Sequence, residues 1–435
     1  MLLSLEFENY RSFREPAVLD MQLRSFHTLH PKDPDWRGVT QRQAAIFGPN
    51  ASGKTTIIEL LSLLGWVIPR SVTSDHYLKH LRDPFGSDRD RPTSISAEYV
   101  YEDVRYRWAV VLDDDGVLEE SLDAAPTSRW RRVFTRGRGE VSFGASSGVA
   151  RPAQEIVGEF LQPWVLALSA LARVKNPGPF IGATKWWGYC MPVHSVESDR
   201  NIRHKWLTDL ISSDVAWFNF AKIALAAADF GITDLEVNEA AVPEEIKLLV
   251  QKISELQESD SEEAPKVEVE NAETIVRYLE FVHSAGDETF TLSEKDESNG
   301  TLQWLDLIIP AAYCLLRGGV FLVDELDSGL HPDLVRLVLE LFNREDTNPR
   351  GAQIIFNSHD ITLLGNHGEP AVDKDCAWLV EKHHGESELL SLDEFQIRKN
   401  HNIEKRYMQG AFGAKPFPSI EVIAREIEKL EMESA

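Results

Sequence analysis

The stretch Ala44-Ala45-Ile46-Phe47-Gly48-Pro49-Asn50-Ala51-Ser52-Gly53-Lys54-Thr55-Thr56 constrains this chain more than any other. From Gly48 to Thr55 it satisfies G-x-x-x-x-G-K-[ST] at every position. Ala44 to Phe47 leads in as a short apolar run, the mark of a buried strand. Ile57, Ile58, Leu60, Leu61 and Leu64 lead out at helical spacing. Strand, glycine turn and helix is the setting in which such a loop cradles a nucleoside triphosphate. Gly48 and Gly53 let backbone N–H groups turn inward at the positive end of a helix. The expected nucleotide set is therefore Gly48, Pro49, Asn50, Ala51, Ser52, Gly53, Lys54, Thr55 and Thr56, with Lys54 on the β- and γ-phosphates and the Thr55 hydroxyl on Mg²⁺.

A second acidic motif answers the first. Gly318-Gly319-Val320-Phe321-Leu322-Val323-Asp324-Glu325 is four apolar residues ending in two carboxylates. Asp324 is the candidate Mg²⁺ organiser, and Glu325 the candidate general base for an attacking water. Leu326-Asp327-Ser328-Gly329-Leu330-His331-Pro332 follows, with Pro332 opening a helix to about Asn343. Ala352 to Phe356 is another core strand, ending in Asn357-Ser358-His359-Asp360. His359 stands where a γ-phosphate sensor is wanted. Upstream, Ser298-Asn299-Gly300-Thr301 precedes a helix from Leu302 to Leu316. Serine and glycine there form either an anion site or an ordinary N-cap.

At 435 residues the chain exceeds one typical domain, so one large core with an insertion, or two domains, is expected. Residues 1–150 read as an N-terminal lobe with Walker A and an antiparallel β patch: a first strand at 2–8, a partner strand at Val18–Leu23, and strands from Ser94 to about Phe143. Residues 151–288 read as mainly helical, with runs at Val157–Ala172, 206–228 and Glu244–Glu258, then an exposed linker at Ser259–Pro265. Residues 289–435 carry the second half of the nucleotide site. The last helix sets Ile420, Ile423, Ile427 and Leu430 on one face, a stripe that either docks a partner or packs on its own core, the commoner outcome.

The net charge of −25 argues against a surface that wraps nucleic acid as a whole. Residues 251–300, with 14 acids against 4 bases, supply much of it. Conversely, Arg129, Arg131, Arg132, Arg136 and Arg138 put five arginines into ten residues around Trp130 and Phe134, either a local DNA contact or a solvated strand face. Three scattered cysteines make neither a disulfide framework nor a metal cluster. No apolar run reaches the length of a membrane span, and the N-terminus lacks a signal-peptide pattern; no membrane association and a cytoplasmic protein are expected.

Together these motifs resemble the ABC-type ATPases of the RecF/SMC group, and among them the compact anti-phage defence ATPases (RloA-like, PARIS-like and OLD-related). The resemblance rests on Phe7-Glu8-Asn9-Tyr10-Arg11-Ser12-Phe13, the 48–55 loop, Glu297-Ser298-Asn299-Gly300-Thr301, the Asp324–Pro332 block, Ser358-His359-Asp360 and Arg406-Tyr407-Met408-Gln409-Gly410-Ala411-Phe412-Gly413-Ala414. It covers both ends of the chain and leaves the middle unmatched. It implies an α/β, ABC-type P-loop head with a mixed β core, an antiparallel β patch and a mainly helical insertion. It further implies a homodimer or higher homo-oligomer closed around two ATP molecules, Ser298 and Gly300 of one copy reaching the nucleotide held by Lys54 and Thr55 of another. Asp327 would link the two sites, and Asn9 and Arg11 would lie on the nucleotide side.

Two departures stand out. The signature is not Leu-Ser-Gly-Gly-Gln, and no glutamine occurs between Thr56 and Ala150 to serve as a Q-loop, leaving Asp83 or Ser87 as substitutes. The residues after His359 are too few for an ordinary nuclease domain, so the effector is expected on a separate chain, a Toprim-type nuclease or a toxin. The expected function is an ATP-hydrolysing switch that regulates such an effector. A RecF-like DNA-repair ATPase and a slow-turnover oligomeric scaffold are the alternatives. A transporter motor fits least, because of its signature.

Overall fold

The computed structural model describes residues 1–33, 35–74, 76–193, 197–228, 230–241, 275–286, 288–365, 370–395, 402–413 and 420–434. The expected helix at 244–258, the linker at 259–265 and Ala414 lie outside the described residues. The chain divides into two compact units, one of Met1–His194, Ala311–Ser328 and Val335–Ala435, the other of Ser195–Pro310 and Gly329–Leu334.

The first unit is built on two sheets. The strands in order are β1 (Leu2–Glu8), β2 (Ala17–Asp20), β3 (Gln43–Phe47), β4 (Thr93–Tyr101), β5 (Val104–Asp113), β6 (Gly116–Ala125), β7 (Arg131–Arg136), β8 (Val141–Phe143) and β9 (Cys190–Val193). The first helices are α1 (Lys54–Arg70), α2 (His76–Lys79), α3 (Arg151–Phe160), α4 (Ala167–Leu171) and α5 (Gly182–Lys185). An antiparallel sheet runs β2-β1-β4-β5-β6-β7-β8. Its strands alternate buried and partly exposed residues, as in β4 and β5, because one face meets the core and the other is less covered. The run expected as one helix over 157–172 is interrupted between α3 and α4, where Pro163 cannot donate a helical N–H.

The second unit holds α6 (Glu197–Ser213), α7 (Val215–Ala227), β10 (Ile232–Ala241), β11 (Ile275–Ala285) and β12 (Glu288–Ser293). The three strands make an antiparallel sheet in the order β10-β11-β12. Segment 151–288 is thus helical with the addition of this sheet, and its first part, up to His194, packs with the first unit. The 206–228 run is two helices because Asp214 caps a new one, its carboxylate accepting from Ala216 N at 2.8 Å.

The remaining elements are α8 (Asn299–Arg317), β13 (Val320–Val323), α9 (Pro332–Asn343), β14 (Gln353–Asn357), β15 (Ala377–His383), β16 (Glu386–Ser391), α10 (Ile403–Met408) and α11 (Ile420–Ser434). The second sheet of the first unit runs β16-β15-β3-β14-β13-β9, parallel except for the β15–β16 hairpin. β3, β13 and β14 are buried at every position, as apolar strands of a covered parallel sheet must be. One apolar cluster joins Leu5 and Phe7 of β1, Ile57, Leu60 and Leu64 of α1, Trp108 of β5, Leu322 of β13 and Ile355 of β14. That cluster fixes α1, and with it the loop before α1, against both sheets. On α11 the stripe Ile420, Ile423, Ile427 and Leu430 is more than half exposed, so it does not take the core-packing outcome. Among the described residues no single helix is long and apolar enough to cross a membrane.

Candidate functional site

The parallel register brings the carboxyl ends of β3, β13 and β14 level. Val323 pairs with Phe356, and Asn357 with Ile46. Gly48, Asp324 and Asn357 therefore leave the sheet side by side, at the edge where open α/β sheets bind ligands.

The 48–55 loop has the backbone its sequence predicts. Gly53 (φ +113°) and Ala51 (φ +59°) lie in the left-handed region. A Cβ on Gly48 would stand 2.4 Å from Val380 O, and one on Gly53 3.0 Å from the hydroxyls of Ser12 and Ser387. Both glycines are thus required by close approach, not by turn geometry alone. The Ser387 hydroxyl also donates to Ser52 O at 2.5 Å, and Lys382 Nζ to Ala51 O at 3.1 Å. So the β15–β16 hairpin braces the loop from outside.

Lys54 is 5% exposed and folds back, its Nζ donating to the carbonyls of Gly48 and Pro49, both at 2.9 Å. Burial lowers its pKa, while the charges of Glu325, Asp324 and Asp327 oppose the shift. An ammonium held on two carbonyls of a phosphate-binding loop exchanges them readily for phosphate oxygens, which carry full charge. The hydroxyl of Ser52 is buried without a protein partner, a polar atom orphaned inside the same loop. These features fit a nucleotide. Thr55 Oγ1 donates to Asp324 Oδ1 at 2.9 Å, an all-oxygen pair suited to Mg²⁺.

Asn357 organises the acidic side. Its Nδ2 donates to Asp324 Oδ1, and its Oδ1 accepts from Glu325 N at 2.6 Å. Its backbone carbonyl accepts from Leu326 N at 3.1 Å. Glu325 has φ +55°, a conformation that costs a residue with a Cβ about 1 kcal/mol or more and that these bonds maintain. The carboxylate of Glu325 is consequently turned out of the strand and exposed. Nothing local in the sequence marks Asn357 for this role, since its two partners, the Asp324 carboxylate and the Glu325 backbone N–H, lie 33 and 32 residues away. His359 is exposed, and its backbone N–H donates to Asp327 at 3.2 Å, tying those two candidate residues together.

Asn9 requires correction. It is fully buried, and its amide donates to the carbonyls of Asp88 and Arg91 and accepts from Phe85 N at 3.0 Å. It shapes the 85–92 loop and has no group left for a nucleotide. Arg11, also at positive φ, ion-pairs with Glu59 of α1 and with Asp83 at 3.4 Å. The two Q-loop substitutes are occupied, Asp83 by Arg11 and the Ser87 hydroxyl by Asp88 at 3.1 Å. The aromatic members of the 7–13 motif are core: Phe7 meets Phe13 edge-on at 5.0 Å.

In the second unit, Ser298 caps α8. Its Oγ accepts from Thr301 N at 3.1 Å and lies 2.8 Å from Thr301 Oγ1. Gly300 sits in the first turn, where a Cβ would be 3.3 Å from Gly329 O. Of the two readings of this serine and glycine, the contacts formed are those of an N-cap.

The arginine cluster does not form one face. Arg136 is buried beside Glu120 at 3.7 Å and donates to the carbonyls of Val165 and Gln162. Arg132 pairs with Asp123, and Arg138 with Asp113. Only Arg129 and Arg131 remain exposed outside these pairs.

Comparison with known proteins gives a family. Residues 44–178 and 194–365 match the family described as "AAA domain, putative AbiEii toxin, Type IV TA system". That match spans well over half of the sequence, and the chain belongs to this family. No curated protein matches it. Similar solved structures include the SmcHead bound to the C-winged helix domain of ScpA (14% identity, 94% of this chain and 99% of that one, TM-score 0.42). The SMC head domain from Thermotoga maritima is also similar (12% identity, 90% and 98%, TM-score 0.42). So is the Smc head domain with an extended coiled coil bound to the C-terminal domain of ScpA derived from Pyrococcus furiosus (14% identity, 90% and 97%, TM-score 0.37).

Proposed function

We propose that this P-loop ATPase of the AAA type is an ATP-driven switch that pairs with a second copy of itself and regulates a separate effector, a nuclease or toxin, in cytoplasmic anti-phage defence. The observation that carries the catalytic part is the set Thr55, Asp324, Glu325 and Asn357. A magnesium-holding hydroxyl and carboxylate are in contact, and the adjoining carboxylate is held outward by its backbone. In this reading the loop amides and Lys54 bind the triphosphate, and Thr55 and Asp324 hold Mg²⁺, which supplies neutralisation of phosphate charge. Glu325 accepts the proton of the attacking water, and His359 reports on the γ-phosphate through its tie to Asp327.

Pairing is supported by the second unit, where Ser298 and Gly300 form a capped helix start of the kind that meets phosphate. The family's description names a putative toxin of a type IV toxin–antitoxin system, which supports a toxin–antitoxin setting for this chain. The buried state of Arg136 weighs against the DNA-repair alternative.

Two variants test the reading. Lys54→Ala should abolish ATP binding and any protection against phage. Glu325→Gln should bind ATP, cease turnover and accumulate as a dimer by light scattering. Normal turnover in Glu325→Gln, or an unchanged monomer mass with ATP, refutes the switch.

A further inference from the structure

We propose that Glu297 and His283 are positioning residues for Ser298, setting its hydroxyl as the donor that meets the γ-phosphate; this rests on the composite-site reading above. The argument is a proton inventory. Glu297 is 5% exposed at its side chain and lies between two groups. Its Oε2 meets His283 Nε2 at 2.7 Å. Its Oε1 accepts from Ser298 N at 2.7 Å and from Thr301 Oγ1 at 3.1 Å. An ionised carboxylate only accepts, so the single hydroxyl proton of Thr301 points at Glu297. The 2.8 Å contact between Thr301 Oγ1 and Ser298 Oγ must then take its proton from Ser298. Ser298 Oγ meanwhile accepts from Thr301 N. Its one proton is therefore oriented and held by a neutral acceptor, which a phosphate oxygen outcompetes because it is charged.

His283 holds the other end of this chain. On β11 it stands opposite Phe290 of β12, and the two rings stack at 5.3 Å with an interplanar angle of 13°. The stack holds the ring plane, and the Nε2 contact with Glu297 sets which edge of the ring faces the carboxylate. The preceding turn is pinned in the same way: Glu294 Oε1 meets His204 Nε2 at 3.0 Å and accepts from Leu279 N at 2.5 Å. Two of the three carboxylates of the β12–α8 turn, Glu294 and Glu297, are thus anchored to imidazoles, while Asp296 accepts from Ser293 Oγ at 2.8 Å, and the start of α8 is held by side chains as well as by its own cap.

The test uses the full chain and four variants: Glu297→Gln, His283→Phe, Ser298→Ala and the double Glu297→Gln/Ser298→Ala. Turnover, ATP binding at the 48–55 loop and ATP-dependent mass are measured for each. Glu297→Gln should lower kcat about tenfold, the effect of one misdirected hydrogen bond to a charged group, with ATP binding within about twofold. His283→Phe, which keeps the stack and removes the nitrogen, should lower kcat in the same direction. The double variant should be no slower than Ser298→Ala, because both changes act through one proton. Full turnover in Glu297→Gln with a slow Ser298→Ala overturns this inference alone. So does an additive double variant. Normal turnover and mass in Ser298→Ala overturns the composite site, and this inference with it.

Discussion

The side-chain carbonyl of Asn357 accepts the backbone N–H of Glu325 at 2.6 Å, and its amide donates to Asp324 next door. One residue at the end of β14 thereby sets the Asp324 carboxylate and the Glu325 backbone at the end of β13. It orients Asp324 against Thr55 and keeps Glu325 in a backbone conformation it would otherwise leave.

Asn357→Ala should therefore separate binding from chemistry. Lys54 and the loop amides are untouched, so the affinity for a fluorescent ATP analogue should stay within a few-fold. Phosphate release should fall about 10- to 100-fold, the usual cost of losing a group that orients a reacting side chain. Asn357→Asp should be as slow, since a carboxylate cannot donate to Asp324. Equal loss of binding and turnover would contradict this division.

Gly48→Ala should abolish nucleotide binding. The added Cβ meets Val380 O at 2.4 Å, a backbone atom of β15 that cannot step aside without moving the sheet. The loop must shift instead, and its amides lose their common focus. Isothermal titration with ATP would measure this, and near-normal affinity would show that the hairpin yields.

The pair Glu120 and Arg136 makes the third prediction. Both side chains are fully buried. Glu120 also accepts from Trp108 Nε1 at 3.1 Å and from the amides of Ala167 and Leu168, so it caps α4 from the β sheet. Burial raises its pKa, against the opposing pull of Arg136. Arg136→Met should cost about 3–5 kcal/mol in urea denaturation, because it strands a buried charge. The double Arg136→Met/Glu120→Gln should recover part of that. Ala at the exposed Arg129 and Arg131 should change stability by no more than about 0.5 kcal/mol.

Much of the nucleotide pocket is legible in residue order because its chemistry is local. Gly48 to Thr55 must turn within eight positions, and only that pattern of glycines and lysine does so. The strands ending in Asp324 and Asn357 are equally plain, being apolar runs buried on both faces. The first and last residues of the chain's elements were less so: Pro163 divides a helix whose apolar spacing continues past it, and Asp214 divides another by capping it.

Other assignments needed neighbours distant in sequence. Asn9 sits inside the motif that suggested nucleotide contact, yet its amide is drawn into the 85–92 loop. Arg136 sits inside a basic run, yet alternation along β7 turns it to the core while Thr135 faces out. By itself the sequence determined the phosphate loop, the acidic strand end and the order of the ATPase motifs, since each depends on contacts within a few residues. Only the tertiary structure decided which polar side chains serve the site and which serve the scaffold, because that choice turns on hydrogen-bond partners brought together by strand register.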